Sequence, residues 1–420
     1  MNYFNKFVDK SDYFESIIEK EIVLFGAGVK AHMFYNDFKK LLNIKCCISN
    51  RTDEHECFFD DGHIVNIYRV DDFLKNNNEN IFIIICADDS FDMENQLVAY
   101  GLNAGIDYIK HEWFRMIISN KKIAVFYGVC YLRPIKEYIT KSDEFNKEYD
   151  SFMWLSYKQF DALGYLFLRW LLHFCDLFIY NNVISMKENA INKGLISLLP
   201  ENCKKISIAT VGAPIIHMQA INKNINNKDY YVVSNISAYG PFTMSDYNIN
   251  KMIDDGLSEK DVMRKVKSDD IYLKSDIIKN FNKNKRKLQI QDTGANITIS
   301  DYIIDNIKTK RVFLDNIHVS NEVIVEITNR LLEFIGYNRI EYNKIYDWKT
   351  MVYVSEVPVY PCVANELDLE IYLDETIKYK LFTFEGYKAV EFNEYIERYY
   401  EYTKKMREYI LYGIFPKGGI

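Results

Sequence analysis

The sequence predicts a two-part α/β fold with largely parallel sheets, and three observations predict it. Short apolar runs alternate with amphipathic helical stretches from Glu21 to Tyr100. A glycine-rich turn joins the first such run to the first such helix, and the alternation starts afresh at Ile123, after the basic pair Lys121-Lys122. At 420 residues, with 48% hydrophobic and 26% charged residues, the chain can bury two sizeable cores.

Strands are expected at Glu21–Phe25, Ile44–Ser49 and Ile81–Cys86, and helices from Val29, at Val70–Lys75 and at Asp92–Tyr100. Ile106-Asp107-Tyr108-Ile109 can close the sheet. This βαβαβ order predicts an N-terminal Rossmann-like parallel sheet, residues 1–119, with a boundary near Ser119. A second, larger α/β domain, residues 120–420, opens with strand Ile123–Phe126. It continues with a helix from Tyr131, an apolar helix around Phe160–Phe174, and strands at Leu177–Tyr180 and Ile206–Thr210. Extra helices follow: a polar stretch from Ile249 to Arg286, interrupted by the stop at Gly256 and a new N-cap at Ser258, and an amphipathic helix Glu322–Phe334. A proline-bearing segment, Val357–Pro361, reads as loop or edge, and Glu391–Tyr412 as a terminal helix.

Bulk properties narrow the function. A net charge of −7, read without a basic block, speaks against a nucleic-acid or anionic-membrane partner. The apolar stretch Ala162–Tyr180 carries Arg169, His173 and Asp176, so a membrane span is not expected. The N-terminus lacks a signal-peptide pattern, and the eight cysteines lack a C-x-x-C pair, so a cytoplasmic protein with reduced thiols is expected. No metal-ligand spacing occurs and no metal is predicted. The surplus of 33 Tyr and 27 Phe reads first as core and second as a sugar-stacking surface. A homo-oligomer is left open.

Two constellations carry chemistry. In the first, Ile22–Phe25 runs into Gly26-Ala27-Gly28-Val29-Lys30-Ala31, a G-x-G-x-x-A turn between strand and helix. Gly26 would permit the turn, Gly28 would let a phosphate approach the backbone, and Ala31 would let helix and strand pack. Asn50 or Asp53, after the second strand, would hold a ribose diol, and Asp88-Asp89 follow the third. The alternative is a scaffold that keeps the turn for packing alone. With its strand Ile81–Cys86 and the Leu97–Gly101 helix end, the segment resembles nucleotide-binding domains of bacterial sugar-modifying proteins. That resemblance implies a sugar nucleotide as ligand.

In the second constellation, strand Ile123–Phe126 leads through Tyr127-Gly128-Val129-Cys130-Tyr131 into a helix. A thiol at a helix N-terminus is activated by the dipole, and adjacent amides can hold an oxyanion. Far along the chain, Val312-Phe313-Leu314, expected as a strand, leads into Asp315-Asn316-Ile317-His318-Val319-Ser320, where Asp315 could orient His318 as general base. This order resembles that of SGNH-type hydrolases and acyltransferases, with Cys130 at the serine position. Asn181-Asn182 end a strand where such folds place an oxyanion-hole asparagine, and Asn182 is assigned that role. Cys130 as a buried small hydrophobe is the competing reading, and His217 is a weaker candidate than His318.

Several segments together widen the resemblance. These are Gly128-Val129-Cys130-Tyr131, Asn235-Ile236-Ser237 with Tyr239-Gly240-Pro241, Ile297–Ile303, Arg311–Asn321 and Val357–Ala364. Over about Ile123 to Tyr399 the chain resembles the WcbI-type polysaccharide-biosynthesis family, capsular-sugar acetyltransferases that bind coenzyme A. The family's Gly-Asn-Cys-Gln turn keeps glycine and cysteine here and loses its asparagine and glutamine, and the proline after the histidine is absent. The resemblance implies acetyl-coenzyme A as donor, a glycan acceptor, and catalysis by Cys130, His318, Asp315 and Asn182. Gly128, Val129 and Ser320 would contact the cofactor. An esterase and a non-catalytic glycan-binding module are the alternatives.

Overall fold

The computed structural model describes residues 7, 9–51, 55–76, 80–87, 91–155, 162–182, 193–212, 215–221, 242, 244–341, 355–374, 376–383 and 386–412. Helix α1 (Lys10–Ile18) precedes β1 (Glu21–Phe25), α2 (Val29–Phe38), β2 (Ile44–Ser49), a hairpin of β3 (Glu56–Phe58) and β4 (Ile64–Arg69), and α3 (Val70–Asn76). Then come β5 (Ile81–Ile85), α4 (Phe91–Ala99), β6 (Tyr108–Lys110) and α5 (His111–Ile118). The six strands form one sheet in the order β3-β4-β2-β1-β5-β6, parallel except for the β3–β4 hairpin. Without β3 this is the doubly wound order, with its switch point between β1 and β5. Those two strands read as unbroken apolar runs because helices cover both faces of a parallel sheet. Val23, Phe25, Ile83 and Ile85 are buried in one cluster with Val70, Phe73 and Leu97. The β3–β4 hairpin went unread in the sequence because its strands are short and half exposed.

The pattern restarts with β7 (Lys122–Gly128), α6 (Leu132–Ile139), α7 (Asp143–Glu148), β8 (Tyr149–Leu155), α8 (Ala162–Leu171), β9 (Cys175–Asn182) and β10 (Lys204–Ala209). These four strands form a second sheet in the order β10-β9-β7-β8, with β7 and β8 parallel. The apolar stretch Ala162–Tyr180 is thus a helix that passes through a single 3-10 turn into a strand, and no described helix is long and apolar enough to cross a membrane.

Beyond β10 lie the short pair β11 (Ala220–Ile221) and β12 (Ser245–Asp246), then α9 (Tyr247–Asp254), α10 (Glu259–Val266), α11 (Lys274–Asp292), α12 (Ser300–Asn306) and α13 (Asn321–Ile335). Asp246 and Ser258 cap α9 and α10 by accepting from Ile249 and Asp261 amides. Gly336, at φ 95°, closes α13 in the left-handed conformation. The last elements are α14 (Pro361–Leu367), α15 (Glu370–Leu373), the hairpin β13 (Tyr379–Thr383) and β14 (Gly386–Val390), and α16 (Phe392–Tyr412).

The chain packs as two compact units, each built from separated segments. One comprises Met1–Gly128, Asn146–Ile179 and Ala190–Lys205; the other comprises Val129–Phe145, Tyr180–Asn189 and Ile206–Ile420. In the first, Tyr13, Trp113, Phe167 and Trp170 form an aromatic core, with Trp113 and Phe167 stacked at 5.2 Å. In the second, α6 packs on α13. Much of the aromatic surplus is therefore core, each buried ring being worth about 1.5–3 kcal/mol.

Candidate functional site

The helix pair α6–α13 is what builds the site. Each helix starts directly after one of the two sequence motifs, so packing the helices together brings the Cys130 turn beside the Asp315–His318 loop. Cys130 is exposed, whereas the other seven cysteines are buried. Its Sγ lies 4.0 Å from Nε2 of His318. On the other side of the ring, Nδ1 of His318 meets Oδ2 of Asp315 at 2.7 Å.

The loop that holds this geometry is local and sequence-encoded. Asp315 is fully buried, and its Oδ1 accepts from the Ile317 and His318 amides at 2.8 and 2.7 Å. An aspartate that takes the amides two and three residues on folds its own turn. Leu314 N–H donates back to the His318 carbonyl at 2.8 Å, and Phe313 bridges Val319. Val312–Leu314, expected as a strand, carries only this bridge. Its backbone bonds go instead to Ser320 and Val357, through Ser320 N–H to Val312 O and Val357 N–H to Leu314 O.

The segment is anchored by an ion pair between the partly buried Arg311 and the buried Glu356. Arg311 donates to Glu356 at 2.6 Å and to the Lys378 carbonyl at 2.9 Å, and Lys380 N–H donates to the same Glu356 oxygen.

The cysteine turn is pinned by Asn181 rather than by its neighbour. Oδ1 of Asn181 accepts the Val129 amide at 2.7 Å, and its Nδ2 donates to Tyr131 Oη. Tyr131 Oη in turn donates to the Ala209 carbonyl at 2.7 Å. Asn182, the residue assigned to the oxyanion hole, donates to the Thr293 carbonyl at 2.9 Å. With Val129 N–H engaged, the amides of Cys130 and Tyr131 have no acceptor among the described residues. Those two amides, at the start of α6, are the donors available to an oxyanion. The sequence reading marked the pair Asn181-Asn182 but assigned the role to Asn182, because the alternation of a strand alone does not say which of two adjacent asparagines turns toward the Cys130 turn.

Electrostatics set the state of the histidine. Burial of the His318 ring lowers its pKa, but the bonds to Asp315 and then to Cys130 outweigh burial and push it up to about 10. The free site therefore holds an imidazolium at neutral pH, facing the sulfur and the N-termini of two helices. His217 goes the other way. It is fully buried, and desolvation, opposed by Asp315, lowers it to about 4, so it stays neutral. Ser320, the N-cap of α13, is buried, and its hydroxyl has no partner among the described residues.

The glycine turn behaves differently. Gly26 sits at φ +108°, and a Cβ there would lie 3.2 Å from the Cys86 carbonyl, so the fold itself demands glycine. Ala31 is fully buried. Gly28, the N-cap of α2, has an ordinary φ of −86° and open space where a Cβ would go. Cys57 Sγ approaches the Ala27 carbonyl and His32 Nε2, at 3.8 and 3.5 Å. Asn50 donates to Gln96 at 2.9 Å. Asp53, Asp88-Asp89, Asn235 and Tyr239–Pro241 lie outside the described residues. Among those described, no three His, Cys, Asp or Glu side chains group as metal ligands.

No family model matches the chain, and no curated protein does. Among solved structures it resembles WcbI, described as a novel polysaccharide biosynthesis enzyme, in its native form without a disulfide bond between coenzyme A and one of its cysteines. The likeness has a TM-score of 0.55 at 17% identity and covers 68% of this chain and 91% of that one. It establishes a shared α/β fold.

Proposed function

We propose that this chain transfers an acetyl group from acetyl-coenzyme A to a sugar hydroxyl of a capsular or surface polysaccharide. The observation that carries this reading is the line of Asp315, His318 and Cys130 at an open turn with two unengaged amides. The fold shared with a polysaccharide biosynthesis enzyme described in relation to coenzyme A supports the choice of donor. In this reading Cys130 takes the part of that enzyme's cysteine and stands beside the sulfur of the donor.

In this mechanism Nε2 of His318 takes the proton of the acceptor hydroxyl while Asp315 holds Nδ1 and the charge that forms. The hydroxyl oxygen bonds to the thioester carbonyl carbon, and the Cys130 and Tyr131 amides receive the oxyanion. The C–S bond then breaks, and the departing thiolate takes the proton back from Nε2. Cys130 lines the leaving sulfur and carries no acyl group. A raised histidine pKa means that only the deprotonated fraction starts this sequence, so the rate rises with pH toward about 10. Residues 1–119 would hold a nucleotide-linked sugar at Gly26–Ala31, and residues 120–420 would perform the transfer. Gly128 and Ser320 would border the donor.

A hydrolase is the second reading, favoured by the Cys130–His318–Asp315 order itself, which needs no coenzyme A. Calorimetric titration with coenzyme A and acetyl-coenzyme A separates the two. Micromolar binding, retained in His318→Ala while transfer is lost, supports the transferase. Acyl-ester hydrolysis by a chain that does not bind coenzyme A overturns it.

A further inference from the structure

Helix α11 concentrates positive charge. Net charge conceals a local run, Lys283-Asn284-Lys285-Arg286-Lys287, in a chain that is otherwise acidic. In α11 the buried side chains are Ile277, Asn284 and Leu288, which turns Lys279, Lys283 and Arg286 to solvent on the opposite arc and leaves Lys287 exposed on one flank. Together with Lys285 they border an open surface region of about 860 Å³ whose described lining comes from α11 alone. None of these five cations has an ion-pair partner among the described residues. The acids of the same helix are elsewhere: Asp276 stands in the first turn, and Asp292 accepts the Ile299 and Ser300 amides. Lys279, Lys283 and Lys287, four residues apart, repel one another along the helix, with Arg286 beside them and Lys285 on the other flank, and an anion relieves that repulsion.

We infer that this face of α11 binds the acidic sugars of a polyanionic glycan, an inference that rests on the transferase reading above and names its acceptor class. Three features select that occupant. The cations spread over about 12 Å of helix from Lys279 to Lys287, the reach of an extended polyanion rather than of one phosphate. Amide side chains, Asn282 among the cations and Gln289 just beyond them, can bond sugar hydroxyls. A membrane-docking helix instead needs a bulky apolar face, and Ile290 is the one apolar side chain in the described lining. The C-terminal end of the same helix is bonded to the strand that carries Asn181. Lys287 lies about 9 Å along the axis from Thr293, whose carbonyl accepts from Asn182, the neighbour of the Asn181 that pins the Cys130 turn.

The test is a binding titration of the full chain with fluorescent oligogalacturonate, an acidic glycan, against maltohexaose as the neutral control. Phosphatidylglycerol vesicles and coenzyme A form two further arms. Each arm is repeated with Lys283→Gln/Arg286→Gln/Lys287→Gln and with the milder Lys279→Gln/Lys283→Gln, after circular dichroism has checked folding. Oligogalacturonate is expected to bind where maltohexaose does not. Its binding should weaken about tenfold with a fourfold rise in salt and about tenfold in the triple variant, with coenzyme A binding unchanged. Equal binding of both glycans, an unaffected triple variant, or a loss that falls on vesicles or coenzyme A instead overturns the inference. If coenzyme A fails to bind the wild type while the glycan arm behaves as expected, the transferase reading falls and the glycan-binding face stands.

Discussion

Two strand–turn–helix junctions, Gly26–Ala31 and Gly128–Tyr131, open the two halves of this chain, and they teach opposite lessons. The first has the better motif, yet the fold accounts for most of it. Gly26 is required by its backbone conformation and by the approach of Cys86, and Ala31 by burial. Only Gly28 is left without a structural reason. The second junction departs from the motif it resembles, yet beside its own two unengaged amides, those of Cys130 and Tyr131, it gathers a histidine and a buried aspartate from a loop some 188 residues away. A motif measures what a backbone needs, whereas a site is measured by what converges on it.

The sharpest way to break the comparison is at His318. Replacing it with alanine should lower acetyl transfer by about 10²–10⁴-fold with little change in coenzyme A affinity, as steady-state rates and calorimetry would show. Cys130→Ala should keep transfer within about tenfold in direct transfer, whereas a covalent route loses at least 10³-fold. The next effect is on stability. Arg311→Ala leaves Glu356, 2% exposed, buried without its cation. It should cost about 3–5 kcal/mol in denaturant unfolding. A cost under about 1 kcal/mol would show that the loop does not depend on this anchor.

pH sharpens the picture further. The folded pKa of His318 lies above its unfolded value, so the folded state holds the proton more tightly. The stabilisation from the Asp315–His318 pair is therefore fully present below about pH 6.5 and is lost as pH rises through about 10. The difference in melting temperature between wild type and His318→Ala should shrink over that window. A constant difference would mean that the pair contributes by packing alone.

The sequence was legible where physics is local. Parallel strands buried on both faces announce themselves as apolar runs, and β1, β5 and β7 appear where those runs predict them. Asp315 and His318 were legible because three residues suffice to build their turn. Asn181 was not, because its partners, Val129 and Tyr131, are about 50 residues away and only the fold brings them together. The β3–β4 hairpin escaped because half-exposed three- to six-residue strands lack a hydrophobic signature. The basic run of α11 escaped for another reason: net charge averages over 420 residues what Lys283–Lys287 concentrate in little more than one helical turn.

The smallest effects test the first junction on its own terms. Gly26→Ala should destabilise by about 1–3 kcal/mol, since it forces a side chain into a left-handed backbone and against a carbonyl. Gly28→Ala should change stability by no more than about 0.5 kcal/mol, because its φ is ordinary and nothing lies within 4 Å of the new methyl. Yet that methyl would stand where a phosphate approaches the start of α2. Titrating both the wild type and Gly28→Ala with UDP-N-acetylglucosamine as a probe nucleotide sugar decides what the glycine is for. Binding by the wild type that the methyl weakens about tenfold assigns Gly28 to a ligand. Binding indifferent to the methyl would return the whole turn to packing and leave the Cys130 junction as the chain's one chemical centre.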